Sequence, residues 1–260
     1  MNRFAMLVLL ALPGAGACFA QQDEPADVAD VPNQELAADK DQKKDYFLIG
    51  PMKEDKEPKD GFGLVVIMPG GSGAKEMNAF VRRIYKNALG AGWIAAQPVA
   101  VKWTEDQETI WPTDKSRVPG MKFTTEEFVE AVIKDVGTRK KVDPSRIFTV
   151  SWSSSGPAAY ALSLRPKTPI KGSFIAMSVF RTEWLPDLDA AKGHPYYLYH
   201  SKDDTTCAFS HAEKARELLT AKGATVEIKE YAGGHGWSGN VYGAFRDGFK
   251  WLLETTAKKK

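Results

Sequence analysis

Segments with the pattern of short strands alternate with helix-like segments along most of this chain. The strand-like segments are four to seven residues long and lie at 63–68, 93–96, 146–150, 172–177, 196–200 and 225–231. The helix-like segments lie between or after them, at 76–89, at 124–136, at 157–162, from 210 onward and after 237. Repeated strand–helix units predict an α/β fold with a mostly parallel, doubly wound sheet and helices on both faces. Functional side chains are then expected at the carboxyl ends of the strands.

The segment 150–156, with the sequence V-S-W-S-S-S-G, joins a strand-like run to a helix-like one. Ser153 stands at this corner, where a sharp turn holds a side chain out of the sheet and the following helix directs free N–H groups at an anion. The usual pattern for a nucleophile at such a corner is G-x-S-x-G. Ser151 and Ser155 occupy the two glycine positions here. Serine is a small replacement, so Ser153 is the candidate nucleophile, although the segment alone fits a polar turn with a helix N-cap equally well.

A carboxylate and an imidazole follow the serine in the order that one class of triad enzymes uses. Asp203 and Asp204 come just after the run 196–200, and His235 lies in the glycine-rich loop A-G-G-H-G-W before the last helix. A serine hydroxyl needs a base to take its proton as it attacks, and a carboxylate holds that base in the correct tautomer. Alone, His235 also fits an ordinary loop position. Together, the residues predict a triad of Ser153, one of the two aspartates and His235.

A glycine-rich loop, P-G-G-S-G at 69–73, follows the most strand-like run of the chain. Backbone N–H groups in such a loop can face a developing negative charge, as in an oxyanion hole. The N–H of Gly71 is the predicted first donor, with Ser72 as the alternative, and the N–H of Ser154 is the predicted second donor. The spacings of phosphate-binding loops are not present here, although a flexible turn would also account for the glycines.

Four motifs of this chain resemble those of the α/β-hydrolase superfamily, in particular the phospholipase/carboxylesterase and dienelactone-hydrolase-like serine esterases. The corresponding segments are 69–71 for H-G-G, 151–156 for G-x-S-x-G-G, 200–208 for H-G-x-x-D-x-x-V-P and 233–235 for G-G-H. The resemblance extends from Tyr46 to Thr256 and implies the α/β-hydrolase fold. It also implies that Asp204, rather than Asp203, is the triad acid. Pro69 in place of histidine departs from the family pattern in the oxyanion loop.

Residues 1–20 have the short basic start, the apolar stretch and the small residues of a secretory signal peptide. The apolar stretch is shorter than the roughly 20 residues that span a membrane, so no integral span is expected. A lipoprotein signal with the lipid on Cys18 is the alternative. Residues 21–45 are acidic and poor in large apolar side chains, which predicts a disordered linker. The α/β-hydrolase domain is then expected at 46–257, in a secreted or periplasmic protein.

Several classes of partner have no support in the sequence. The net charge of +2, with no basic stripe, does not favour nucleic-acid binding. No H-E-x-x-H or C-x-x-C spacing is present, so neither a metal nor another cofactor is expected. No feature of the sequence specifies an oligomeric state. Cys207 is expected to be a small packing residue, not a nucleophile.

The sequence therefore predicts an exported serine hydrolase that cleaves short-chain or aromatic acyl esters, as small molecules or linked to polysaccharide, through an acyl-serine intermediate. A peptidase of the prolyl-oligopeptidase type is one alternative. A catalytically silent α/β-hydrolase fold that serves as a binding protein is another, because serines replace the glycines around Ser153. Five tryptophans are predicted either to form a substrate-binding wall or to belong to the core: Trp103, Trp111, Trp152, Trp184 and Trp237.

Overall fold

The computed structural model describes residues 25–258. The strands are β1 (Asn33–Ala37), β2 (Asp45–Ile49), β3 (Phe62–Met68), β4 (Trp93–Pro98), β5 (Val142–Trp152), β6 (Gly172–Ala176), β7 (Pro195–Ser201) and β8 (Thr225–Tyr231). The α-helices are α1 (Asn78–Ile84), α2 (Thr125–Arg139), α3 (Gly156–Ser163), α4 (Ser210–Ala221) and α5 (Val241–Ala257).

Within the described residues, the strands form one sheet in the order β1-β2-β4-β3-β5-β6-β7-β8. β2 is antiparallel to both of its neighbours, and the other neighbouring pairs are parallel. The mostly parallel, doubly wound α/β sheet that the sequence predicts is therefore confirmed.

Alternate residues of the central strands face two separate apolar clusters, because successive side chains of a strand point to opposite faces of the sheet. Leu64 and Val66 of β3 belong to the cluster that contains the buried faces of α2, α3 and α4. Val65 and Ile67 belong to the cluster that contains the buried faces of α1 and α5. The helices thus cover both faces of the sheet, which leaves the loops at the strand ends to form a site.

Helix α2 begins close to the predicted start of the helix-like segment 124–136, and Thr124 is its N-cap. The Thr124 hydroxyl accepts a hydrogen bond from the N–H of Glu127 (3.1 Å), and the Glu127 carboxylate accepts one from the N–H of Thr124 (2.8 Å). This capping box satisfies donors that the first turn of a helix leaves without partners. The helix-like segment predicted at 76–89 is also helical, as α1, but the last five residues, Tyr85–Leu89, form a π-helical turn.

The sheet register brings the predicted functional loops together in two pairs. Met68 at the end of β3 is paired with Ser151 near the end of β5, so the glycine-rich loop and the serine corner begin side by side. Ser201 at the end of β7 is paired with Tyr231 at the end of β8, so the aspartate loop and the histidine loop also begin side by side. All four loops lie at the carboxyl edge of the parallel strands.

The disordered linker expected over 21–45 is wrong for residues 25–45. This segment contains β1, which pairs with β2, and it buries the side chains of Val28 and Val31. The Arg82 guanidinium on α1 donates hydrogen bonds to the carbonyl oxygens of both valines. Backbone pairing and two buried valines therefore order a segment that has few apolar residues, and the folded domain includes it.

Three expectations concern residues that the structure does not describe. They are the signal peptide at 1–20, the alternative lipid attachment at Cys18 and the linker residues 21–24. From residue 25 to residue 258, no helix combines the length and the apolar character that crossing a membrane requires.

Candidate active site

The serine corner has the strained backbone of a nucleophile elbow. β5 ends at Trp152, and Ser153 follows with a φ of 54°, in the left-handed region that residues other than glycine rarely adopt. Such strain persists only where the surrounding structure enforces it. One enforcing contact is the hydroxyl of Ser178, which donates a hydrogen bond of 2.7 Å to the Ser153 carbonyl oxygen. The corner predicted from the sequence is thus present, with the Ser153 side chain only partly covered.

A chain of two hydrogen bonds connects Ser153, His235 and Asp204. The Ser153 Oγ lies 3.0 Å from Nε2 of His235, which is 82 residues away in the sequence. Nδ1 of the same ring lies 2.9 Å from Oδ2 of Asp204. An ionised carboxylate can only accept, so Nδ1 carries the ring hydrogen and Nε2 is free to accept the serine proton. The structure therefore brings together a hydroxyl, an imidazole and a carboxylate among the predicted residues, and the contact with the carboxylate selects the tautomer that proton transfer requires.

Asp204 uses its two carboxylate oxygens for different purposes. Its Oδ1 accepts hydrogen bonds from the N–H groups of Thr206 (2.9 Å) and Cys207 (2.7 Å), while Oδ2 faces His235. Burial raises the pKa of Asp204, but the hydrogen bonds from Cys207, His235 and Thr206 outweigh burial and hold the pKa below its ordinary value. Asp203 is exposed to solvent. The carboxylate that meets the imidazole is that of Asp204.

A second histidine, His200, lies behind the aspartate loop. It is buried at the end of β7, and its Nε2 donates a hydrogen bond of 2.7 Å to the carbonyl oxygen of Cys207. The same nitrogen lies 3.3 Å from Oδ2 of Asp204. Burial lowers the pKa of His200, so the ring stays neutral and supports the loop as a donor. The sequence pattern predicts only that His200 ends a strand, although it occupies the histidine position of the H-G-x-x-D pattern.

The loop that carries His235 is held from inside by Tyr231. The Tyr231 hydroxyl lies 2.9 Å from the carbonyl oxygens of Gly234 and Gly236, which flank the histidine. Burial raises the pKa of Tyr231 to about 12, so the hydroxyl remains a donor at neutral pH. The N–H of Gly234 also donates a hydrogen bond of 3.2 Å to the hydroxyl of Ser201, at the start of the aspartate loop. These contacts fix the position of the imidazole relative to its carboxylate.

The glycine-rich loop lies against the serine corner, as the register of β3 and β5 requires. Gly71 has a φ of 62°, which glycine adopts without strain, and its carbonyl oxygen accepts a hydrogen bond of 2.8 Å from the hydroxyl of Ser154. A Cβ on Gly70 would lie 2.5 Å from the carbonyl oxygen of Trp152, so the close approach of the two segments depends on glycine there. The backbone of Gly71 is thus held next to the residue that follows Ser153.

Solved structures share the architecture of this chain, whereas family models and curated sequences do not match it. No protein-family model and no curated protein sequence matches the chain. A fungal esterase from Rhizomucor miehei superimposes on it with a TM-score of 0.65 at 14% identity, covering 90% of this chain and 84% of that one. The chain has the α/β-hydrolase fold.

Two further solved structures share this fold. An alpha/beta hydrolase enzyme from a Medee basin deep-sea metagenome library matches with a TM-score of 0.62 at 15% identity, covering 88% of this chain and 99% of that one. A dienelactone hydrolase-like protein from Klebsiella pneumoniae matches with a TM-score of 0.62 at 16% identity, with the same coverage of both chains. At these identities the likeness is one of fold.

In this α/β-hydrolase fold, the five tryptophans do not form one wall. Trp111 is buried, and its indole N–H donates a hydrogen bond of 3.0 Å to the carbonyl oxygen of Pro69. Trp152 is also buried and packs edge-on against Trp237, with ring centroids 5.6 Å apart. Trp103 packs on a phenylalanine and Trp184 lies under an arginine. Of the two predictions for these residues, the core role holds for Trp111 and Trp152.

The α/β-hydrolase domain offers no evident metal site in the part of the chain that the structure describes. No group of three or more histidine, cysteine, aspartate or glutamate side chains there is arranged to hold an ion. Cys207 is buried beside Asp204, and burial, followed by the nearby carboxylate, raises the pKa of its thiol to about 11. The thiol is therefore protonated at neutral pH and packs as a small apolar group.

Proposed function

We propose that this protein is a serine hydrolase that cleaves carboxylic esters through an acyl-serine intermediate. The observation that supports the proposal most strongly is the continuous hydrogen-bond chain from the Ser153 hydroxyl through His235 to the buried carboxylate of Asp204. The Rhizomucor miehei esterase among the solved structures with this fold points to the same reaction. The sequence patterns point to Ser153, His235 and one of Asp203 and Asp204, and the resemblance to the superfamily implies Asp204.

The first half-reaction acylates the enzyme. Ser153 Oγ attacks the ester carbonyl carbon while Nε2 of His235 takes the hydroxyl proton. The carbonyl oxygen becomes an oxyanion, which accepts hydrogen bonds from the N–H groups of Gly71 and Ser154. When the tetrahedral intermediate collapses, the bond to the alcohol oxygen breaks and Nε2–H protonates that oxygen. The alcohol leaves and the acyl group stays on Ser153.

The second half-reaction uses the same groups with water. His235 removes a proton from a water molecule, which attacks the acyl-serine carbonyl carbon. The bond to Ser153 Oγ then breaks, Nε2–H returns the proton to that oxygen, and the carboxylic acid is released. In both halves the imidazole becomes a cation next to Asp204. Because hydrogen bonds hold the pKa of Asp204 low, a negative charge is present to stabilise that cation.

The substrate class and the compartment are finer parts of the proposal. Short-chain or aromatic acyl esters, free or attached to polysaccharide, are the proposed substrates, and residues 1–20 are the proposed export signal. Ser151 and Ser155 at the glycine positions are the reason that a catalytically silent binding protein is an alternative. The strained φ of Ser153 and the hydrogen bond to His235 support an active elbow instead.

Turnover of p-nitrophenyl acetate by purified protein tests the proposal. Ser153→Ala should lower kcat by about 10⁴-fold or more, because the nucleophile is lost while binding remains. Ser151→Ala is the matched control, since it removes a hydroxyl two residues away that makes no hydrogen bond within the described residues. A Ser153→Ala variant with the wild-type rate would refute the assignment. Faster cleavage of a matched anilide than of the ester would favour the peptidase, and a wild-type protein without turnover of either would favour a binding protein.

A further inference from the structure

Successive carbonyl oxygens at the end of β3 and in the loop after it accept hydrogen bonds. The Met68 carbonyl accepts a hydrogen bond from Ser155 Oγ (2.7 Å), and the Pro69 carbonyl accepts one from Trp111 Nε1 (3.0 Å). The Gly70 carbonyl accepts one from the N–H of Gly73 (3.2 Å), and the Gly71 carbonyl accepts one from Ser154 Oγ (2.8 Å). Two of these donors are side chains of the serine corner itself. The loop that would hold the oxyanion is therefore tied directly to the segment that carries the nucleophile.

The bond to the Gly71 carbonyl also sets the direction of a neighbouring N–H group. In a planar trans peptide, the carbonyl of one residue and the N–H of the next point in opposite directions. Because the Gly71 carbonyl points at the Ser154 hydroxyl, the N–H of Ser72 points away from the serine corner. The Gly70 carbonyl points toward Gly73, because it accepts a hydrogen bond from the N–H of Gly73. The N–H of Gly71, which belongs to the same peptide, therefore points away from Gly73. Of the two candidate donors, this geometry favours Gly71 over Ser72.

We propose that the Ser154 hydroxyl is a positioning group that clamps the oxyanion loop to the nucleophile elbow. It acts through the Gly71 peptide, while the N–H of Ser154 itself is the second oxyanion donor. The Ser155 hydroxyl reinforces the clamp one step earlier, at the end of β3, where it bonds to the Met68 carbonyl. The role of Ser154 rests on the proposed esterase function, and it explains how the oxyanion loop is kept in position relative to Ser153.

The clamp gives a physical role to one of the two serines that replace the glycines of the usual motif. Ser155 stands at the second glycine position, and its buried hydroxyl also accepts a hydrogen bond of 3.0 Å from the N–H of Trp152. Ser151 stands at the first glycine position, where its hydroxyl is buried without a hydrogen bond among the described residues. The chain thus contains, within five residues, clamping serines and a serine that does not clamp.

Kinetics of Ser154→Ala, with Ser154→Thr and Ser151→Ala beside it, test the clamp. Misplacing a reacting group by about 1 Å can cost about 100-fold in rate. We therefore expect Ser154→Ala to lower kcat by about 10- to 100-fold with p-nitrophenyl acetate, while KM changes little. Affinity for a trifluoromethyl ketone, whose adduct carries the oxyanion, should fall by the same factor. Ser154→Thr keeps a hydroxyl and should recover most of the rate, and Ser151→Ala should match the wild type.

Ser154→Gly removes the same hydroxyl and guards against an effect peculiar to alanine. The clamp is supported only if both variants lose kcat and ketone affinity while thermal unfolding shows that they are folded. Rates and ketone affinities equal to those of Ser151→Ala would overturn it. A rise in KM with an unchanged kcat would also overturn it. These results are distinguishable from failure of the proposed function, in which the wild-type protein itself would not turn over the ester.

Discussion

At the scale of single residues, the site depends on polar atoms that each have a defined partner. Asp204 shows this most clearly, because Oδ1 holds its own loop through two backbone N–H groups while Oδ2 orients the imidazole of His235. Asp203 is adjacent in sequence but exposed. The difference between the two aspartates comes from the turn after β7, which directs the Asp203 side chain outward and the Asp204 side chain inward.

Replacing each aspartate by asparagine should separate their roles. In Asp204→Asn, the amide oxygen can still accept from Thr206 and Cys207, but the NH₂ group then faces Nδ1 of His235. The ring would adopt the other tautomer, with hydrogen on Nε2, and could not take the proton of Ser153. We expect kcat for an ester to fall by about 10⁴-fold in Asp204→Asn. Steady-state kinetics should show Asp203→Asn close to the wild type, and the reverse ranking would exchange the two assignments.

At the scale of elements, the backbone conformation of Ser153 depends on how tightly α3 approaches the end of β6. A Cβ on Gly156, the first residue of α3, would lie 1.9 Å from the hydroxyl oxygen of Ser178. That hydroxyl bonds to the Ser153 carbonyl and supports the strained elbow. The start of the helix, the strand end and Ser153 therefore form one packed unit in which a single methyl group has no room.

Gly156→Ala should accordingly displace Ser178 and loosen the elbow. We expect it to lower the free energy of unfolding by about 1–3 kcal/mol, as overpacking does, and to reduce kcat as well. Gly137→Ala is the matched control, because that helical glycine lies near the end of α2 with open space around its Cβ position. There the change should be neutral or raise the free energy of unfolding by up to about 1 kcal/mol. Urea denaturation measures both, and equal stabilities would contradict the packing argument.

At the scale of the whole molecule, the sheet topology brings distant residues to one edge. Ser153 and His235 are 82 positions apart, and His235 and Asp204 are 31 apart, yet parallel strands deliver all three to the same rim. The sequence predicts this much because strand patterns, loop glycines and the order of the polar residues are all local signals. The resemblance of four motifs to those of the superfamily implies the α/β-hydrolase fold, and the solved structures with that fold confirm it.

Other features could not be predicted because they carry no local signal. β1 contains one large apolar residue, Leu36, and is held to β2 by backbone pairing, so its pattern resembles that of a linker. The contact between Ser154 and the Gly71 carbonyl joins segments 83 residues apart and depends on the register of β3 with β5. The support that His200 gives to the Cys207 carbonyl likewise depends on how one turn folds back on its strand.

Labelling with a fluorophosphonate, followed by peptide mapping, tests the central claim most directly, because the probe phosphonylates a serine only where a base and an oxyanion site converge on it. We expect a single labelled residue, Ser153, and labelling slowed by about 100-fold or more in His235→Ala. A label on another serine, or an equal labelling rate without the imidazole, would contradict the convergence of these side chains into a working site.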